Sequence, residues 1–170
     1  MRRLMHLLAS LILPISAAVL MPFWLLHRFS FSASAWAGGD GPEVLLLRVA
    51  GAVVFALGFA LFAWCVWLFG NVGHGTLAPW DPPLRFVAVG PYRYVRNPMI
   101  SGVAAMLVGE ALVFSSMPLV AWAVTFIVIN QVYFVLSEER YLERRFGPRY
   151  RAYKAAVPRW VPRWIPWEEQ

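Results

Sequence analysis

Glu138 and Glu139 stand side by side at the end of an apolar run, and the positions three and four residues away hold Phe134, Val135, Leu136, Tyr141, Leu142 and Glu143. A solvated helix surface would lace such carboxylates to cations at those spacings. These two must answer positive charge from elsewhere, either Arg93 and Arg96 or a cationic ligand. Both arginines precede Asn97-Pro98, a pair that opens a helix: asparagine is a good N-cap, and proline loses nothing at the first helical position. The start of a helix presents free amide donors and the positive end of a dipole, so this corner would hold an anion. Anchoring to lipid phosphates is the plainer use of the same arginines. Asn130 lies two turns before Glu138 on roughly the same face, as an interhelical hydrogen-bonding group or a ligand contact. Glu110 shares a helical face with Gly102 and Met106; it is either functional or protonated and bonded to a neighbour. His74, between two glycines, is the one histidine near these groups.

The elements that position them belong to a membrane protein. The chain has 170 residues, 60% hydrophobic and only 14% charged, against the quarter usual in soluble domains. Its apolar residues come in runs rather than in alternation, which excludes a β-barrel and a disordered chain and leaves an all-α membrane protein of one domain. A single cysteine, Cys65, excludes a disulfide framework and a thiolate zinc site, and no metal is expected. Residues 4–26 carry no formal charge and are long enough to span, with Pro14 as a kink. Residues 49–69 form a second span, whose Ala52, Ala56 and Ala60 give one smooth face for close packing. Residues 99–137 are too long for one crossing; Ser115-Ser116-Met117-Pro118 divides them into spans 99–115 and 118–137.

Thirteen of the 15 Lys and Arg fall on one side of this four-span helical bundle if the N-terminus is cytoplasmic, and only Arg28 and Arg48 fall opposite. That asymmetry places both termini and the loop 70–98 in the cytoplasm, as in a bacterial inner membrane or its equivalent, and makes nucleic acid an unneeded explanation of the net charge of +6. The loop is long for a bundle connection, and its Trp80, Phe86, Tyr92 and Tyr94 argue against disorder. After the fourth span the helix is expected to reach Phe146, stop at Gly147 and restart at Pro148. In the rest of the segment 138–170, Pro158-Arg159-Trp160, Pro162-Arg163-Trp164 and Pro166-Trp167 recur every four residues, so it is expected to be extended, with tryptophan and arginine suited to the headgroup layer.

The string Gly90-Pro91-Tyr92-Arg93-Tyr94-Val95-Arg96-Asn97-Pro98, then Gly102, Glu138-Glu139, and Phe146-Gly147 with Tyr150 and Tyr153, resembles the superfamily of isoprenylcysteine carboxyl methyltransferases and phospholipid methyltransferases. The resemblance covers roughly residues 70 to 165. It implies S-adenosylmethionine as methyl donor, bound on the cytoplasmic side between the last spans and the C-terminal segment, and a lipophilic acceptor from the bilayer, a prenylcysteine-like carboxylate or a lipid headgroup. Arg96 and Glu139 are then the catalytic candidates. Gly90, Pro91, Tyr92, Arg93, Tyr94, Asn97, Pro98, Gly102, Asn130, Glu138 and Tyr153 are the candidates for binding the donor. Asn97 and Ile100 stand where the family's familiar form has histidine and tyrosine, so no role of those side chains carries over.

The residues offer each part of that donor an opposite: Glu138 and Glu139 for the sulfonium, Arg93, Arg96 and the helix start for the carboxylate, and Tyr92, Tyr94 and Tyr153 for the base. A carboxylate acceptor would need no base, whereas an amine or thiol would need Glu139 or His74 to take a proton. Since Glu139 has no partner within its own helix, Glu139→Gln is expected to weaken donor binding more than folding. A membrane NAD(P)H-dependent reductase of related architecture, or a non-enzymatic membrane subunit, are the alternatives.

Overall fold

The structure, a computed structural model, describes residues 12–29, 41–68, 71, 86 and 88–168, so His74 and Trp80 lie outside the described residues, as does the start of the first apolar stretch. The described part of that stretch is helix α1, Ile12–Arg28, interrupted by a π-helical turn over Ser16–Leu20. Within the turn the Met21 amide bonds to the Ser16 carbonyl, and Pro22 has no N–H to offer, so the Ala17 carbonyl is left without a helical partner. Trp122 supplies one: its indole N–H donates to Ala17 O at 2.9 Å.

Helix α2, Pro42–Leu68, is 27 residues long, or about 40 Å at 1.5 Å per residue. It starts seven residues before the expected 49, because Glu43 and Arg48 are compatible with helix even though they end the uncharged run. Its buried positions include Val44, Gly51, Gly58 and Cys65, each seven residues from the last, and this seam packs against helix α3, Pro98–Phe114. A Cβ on Gly58 would lie 2.7 Å from the Gly102 carbonyl, and one on Gly51 would lie 2.7 Å from the Gly109 carbonyl. The two helices therefore run antiparallel with backbones in contact. Lipid gives helices no hydrophobic reason to associate, so this approach supplies the dispersion contacts that hold them.

The alanine face expected to pack does not: Ala52, Ala56 and Ala60 are all exposed. A four-residue step drifts about 40° around a helix each time, while a seven-residue step drifts about 20°, and glycine allows a closer approach than alanine. We expect Gly58→Val to destabilise the detergent-solubilised protein by about 3 kcal/mol, the upper end for overpacking, because the obstacle is backbone. Ala56→Val, on the exposed face, should leave the thermal midpoint nearly unchanged, and equal midpoints for the two variants would refute the seam.

The turn between α3 and helix α4, Met117–Tyr133, comes where Ser115-Ser116 stand: Ser115 takes a left-handed conformation (φ 47°), and the Ser115 and Ser116 amides bond back to Leu112 O and Ala111 O. Val103, Met106, Leu107 and Ala123 from this hairpin close on Ala18 of α1 as one apolar core. From α4 the helix runs through a π turn, Phe134–Glu138, into helix α5, Glu139–Ala156. Gly147 breaks α5 at φ 55°, ψ −129°, a conformation that favours glycine, and Pro148 resumes it. Helices Pro42–Leu68 and Met117–Ala156 are long and apolar enough to cross a membrane, while Ile12–Arg28 and Pro98–Phe114 are apolar but shorter. Residues 157–168 are non-helical, as four-residue proline spacing requires.

Candidate functional site

Three segments meet where α3 begins: the turn 90–97, the junction of α4 with α5, and the tail 157–168. The turn is a 3₁₀ helix over Gly90–Arg93, entered at Gly90 with φ 56°, where a Cβ would also come within 2.9 Å of Leu68. Pro91 and Tyr92 behind it are buried. Tyr92 bonds through its hydroxyl to Cys65 of α2, and its carbonyl accepts the Tyr153 hydroxyl at 2.6 Å. The hydroxyls of Tyr92 and Tyr153 are thus engaged inside the protein, and burial raises both well above the usual phenol range. Around Tyr153, Phe86 and Trp167 pack edge-on, with ring centroids 5.0 and 5.2 Å away.

The tail runs back along the turn in the opposite direction. Arg96 N–H donates to Pro158 O (2.9 Å), Arg163 N–H to Tyr94 O (3.0 Å), and Trp167 N–H to Arg93 O (2.9 Å). Arg93 closes this end through its side chain, with Nε on Trp167 O at 2.8 Å and Nη2 on Glu168 at 2.7 Å. Its expected pairing with Glu138 or Glu139 is not made, because the tail carboxylate takes it first. Beside it lies an open cleft of about 370 Å³, lined in part by Phe86, Arg93, Arg149 and Trp167.

The electrostatic centre is Glu139. Arg96 Nη1 and Arg159 Nη2 each reach Glu139 Oε1 at 2.7 Å, Arg159 Nε adds a bond at 2.9 Å, and Lys154 Nζ lies 3.2 Å from Oε2. Glu139 is buried, which raises its carboxyl, but the bonds from Arg159 and Lys154 and the charge of Arg96 outweigh burial and hold it below the usual carboxylate value. Lys154 also pairs with Glu143 at 2.9 Å. Arg96, Arg159 and Lys154 are thus gathered on Glu139 and Glu143. Arg96 bonds further to the Tyr150 hydroxyl, and its Nε is buried with no hydrogen-bond partner. A donor left so is expensive unless something accepts from it.

Glu138 differs from its neighbour. Among the described residues no cation pairs with it, and burial together with the Glu139 charge pushes its carboxyl up to about 7. The π turn sets the two carboxylates apart: it ends at Glu138, and Glu139 begins the next helix facing the tail cations.

Other candidate residues are held by the fold. Asn97 precedes α3 but makes no side-chain cap; its carbonyl instead accepts from the amide and hydroxyl of Ser101. Pro98 is fully buried. Gly102 lies against Gly58, which accounts for its missing side chain. Asn130 bonds to Phe126 O one turn back in its own helix, so the expected interhelical bond is absent; Gln131 makes a long-range bond instead, accepting from Trp160 Nε1 at 2.7 Å. Glu110 Oε2 is buried without a partner in α3. The sequence reading missed Arg159, Lys154 and Tyr150 as members of the cluster. Arg159 and Lys154 stand 20 and 15 residues beyond Glu139, spacings that carry no helical signal.

Residues 46–149, well over half of the chain, match a family model described as phospholipid methyltransferase. No curated protein and no solved structure matches the chain.

Proposed function

Because the chain belongs to the phospholipid methyltransferase family, S-adenosylmethionine-dependent enzymes of membranes, we propose that it methylates the amine of a phospholipid headgroup at the cytoplasmic face of its membrane. It is an integral membrane methyltransferase built of apolar helices. Four crossings, with the shorter α1 and α3 among them and both termini cytoplasmic, complete the reading. The thirteen-to-two division of basic residues supports that topology.

The observation that carries the site assignment is the centre at Arg96. The donor has one carboxylate, and the centre has a buried Arg96 Nε lacking an acceptor. The residues present fit the group. When bound, S-adenosylmethionine supplies a methyl group on a sulfonium, an electrophile that needs alignment rather than covalent help. Arg96 would hold the donor's carboxylate, with Tyr94 and Asn97 beside it in the same segment. Gly90, Pro91 and Tyr92 fix the turn that presents Arg96, and Tyr153 fixes Tyr92. Glu139, matched by cations of the protein, positions Arg96 rather than facing the donor itself.

Glu138 has the other role. An amine acceptor must lose a proton, and a carboxyl with affinity for protons near neutrality takes one efficiently where a fully paired one does not. That assigns the base to Glu138 in place of Glu139. Ionised, it also answers positive charge at the reacting centre. Its raised value means that it is neutral below about pH 7 and charged above, so kcat/KM should climb with pH through about 7. Glu138→Gln should lower the rate by about a hundredfold and flatten that limb. A wild-type profile already flat across pH 7 would remove Glu138 from the reaction.

The function itself is tested with purified protein in vesicles containing phosphatidylethanolamine and radiolabelled S-adenosylmethionine. Label in the monomethylated lipid is the expected result. Calorimetric titration with NADPH in place of the donor discriminates the reductase: heat of binding from NADPH and none from S-adenosylmethionine would overturn the proposal.

A further inference from the structure

The outer face of the tail carries three large apolar side chains with nothing over them: Val161 is 73% exposed, Trp164 99% and Ile165 71%. Side chains of this size, clustered within five residues, signal a surface that water does not normally cover. Their depth is fixed by a neighbour. Trp160 donates to Gln131 and sets its ring 6.0 Å from that of Phe134, and Gln131 stands six residues, about 9 Å, short of the end of the fourth apolar run at Ser137. The chain thus leaves the charged centre at Arg159, reaches down beside α4 at Trp160, and returns to Arg93 and Tyr153 at Trp167.

We infer that residues 160–166 form a hook inserted into the cytoplasmic leaflet, with Val161, Trp164 and Ile165 among the acyl chains and Arg163, whose amide is tied to Tyr94 O, at the level of the phosphates. The occupant is lipid, because the chain on either side of the Gln131 and Phe134 contacts with Trp160 also exposes apolar side chains, Val128 and Val132 on α4 and Val135 and Leu136 in the π turn after it. Tryptophan and arginine are also the pair that settles at this boundary. The inference rests on α4 being a span and deepens the proposed function. The residues flanking the hook supply Pro158 O and Arg159 to Arg96 and Glu139 and the Trp167 amide to Arg93 O, and within it the Arg163 amide bonds to Tyr94 O. Bilayer engagement therefore holds the centre together, and the acceptor headgroup arrives beside the segment that organises it.

The test reads location and does not depend on catalysis. Trp164→Cys and, as a water-facing reference on α5, Arg151→Cys are labelled with bimane in the full-length protein, Cys65 being buried. Both are reconstituted in phosphatidylcholine and phosphatidylglycerol vesicles. Brominated acyl chains should quench the label at 164 several-fold more than that at 151, and iodide should show the opposite order. Equal iodide quenching at both positions overturns the hook, as does protection at 164 that scales with protein density, which would mean a second copy of the chain. Trp164→Glu should retain its thermal midpoint in detergent but, in separate vesicles that contain phosphatidylethanolamine, lose about tenfold in methylation of that lipid. Unchanged vesicle activity would overturn the coupling of insertion to the site, whereas inactivity of the wild type on lipid would count against the proposed function and leave the quenching result standing.

Discussion

Arg96→Lys is expected to insert and fold yet lose methyl transfer by roughly ten- to hundredfold, the effect of removing a charged hydrogen bond worth about 1.5 to 3 kcal/mol. Arg96 is almost buried, with 12% of its side chain exposed, and its planar fork is divided among different tasks. Nη1 holds Glu139, another bond reaches the Tyr150 hydroxyl, and Nε is left over for an acceptor. An ammonium is a point charge on a flexible stem and cannot direct donors along two edges of a plane. Lysine would keep the attraction to Glu139 and lose the direction toward the donor, so the loss should appear mainly in donor affinity and alignment. Arg140→Lys, exposed on α5, is the control. Near-normal and equal rates for both variants would show that Arg96 has only a structural or lipid-anchoring part.

What the sequence made legible, and what it hid, divides along a physical line. Helices set by local rules are where apolar runs and punctuation place them: the Ser115–Pro118 turn, the break at Gly147 and the restart at Pro148 all follow from the conformations those residues permit. The meeting of the turn with the α4–α5 junction also followed, because two carboxylates without cations in their own helix need charge from outside it. The identity of that charge did not. Arg96 was within reach of the argument, but Arg159 comes from a tail expected to be extended and found to be bent and non-helical, whose hydrogen bonds go to another segment, and such a chain has no periodicity that names its partner. Arg93 was assigned inward on the same reasoning and is instead held by the Glu168 carboxylate and the Trp167 carbonyl. The glycine seam was hidden for a different reason. A four-residue alanine spacing is the more conspicuous pattern, but backbone contact selects the residue without a side chain.

Glu139→Gln carries the larger consequence for stability, and the structure reverses the expectation drawn from sequence. With no cation three or four residues away, Glu139 should have been a group whose loss affects donor binding before folding. Instead its carboxylate is, among the described residues, the only counter-charge in contact with both Arg96 and Arg159, and Lys154 shares it with Glu143. A neutral amide there leaves two nearly buried guanidinium groups facing each other across the site. Removing one partner of a buried ion pair costs about 3 to 5 kcal/mol, because the remaining charges lose their compensation. For a chain of this length the thermal midpoint should fall by about 10 °C in detergent, with the tail's contacts to the turn loosening at the same time. The sign of the pH dependence follows from the lowered carboxyl. Glu139 stabilises the fold fully above its ordinary value of 4.5, and that contribution is lost as pH falls through the lower value it has in the folded protein. Wild type should therefore lose stability in acid more steeply than Glu139→Gln, whose midpoint is already low near neutrality and has no such carboxylate to protonate. Parallel acid limbs for the two proteins, or a variant that keeps its midpoint and loses only donor affinity, would return Glu139 to the role of a direct ligand for the donor.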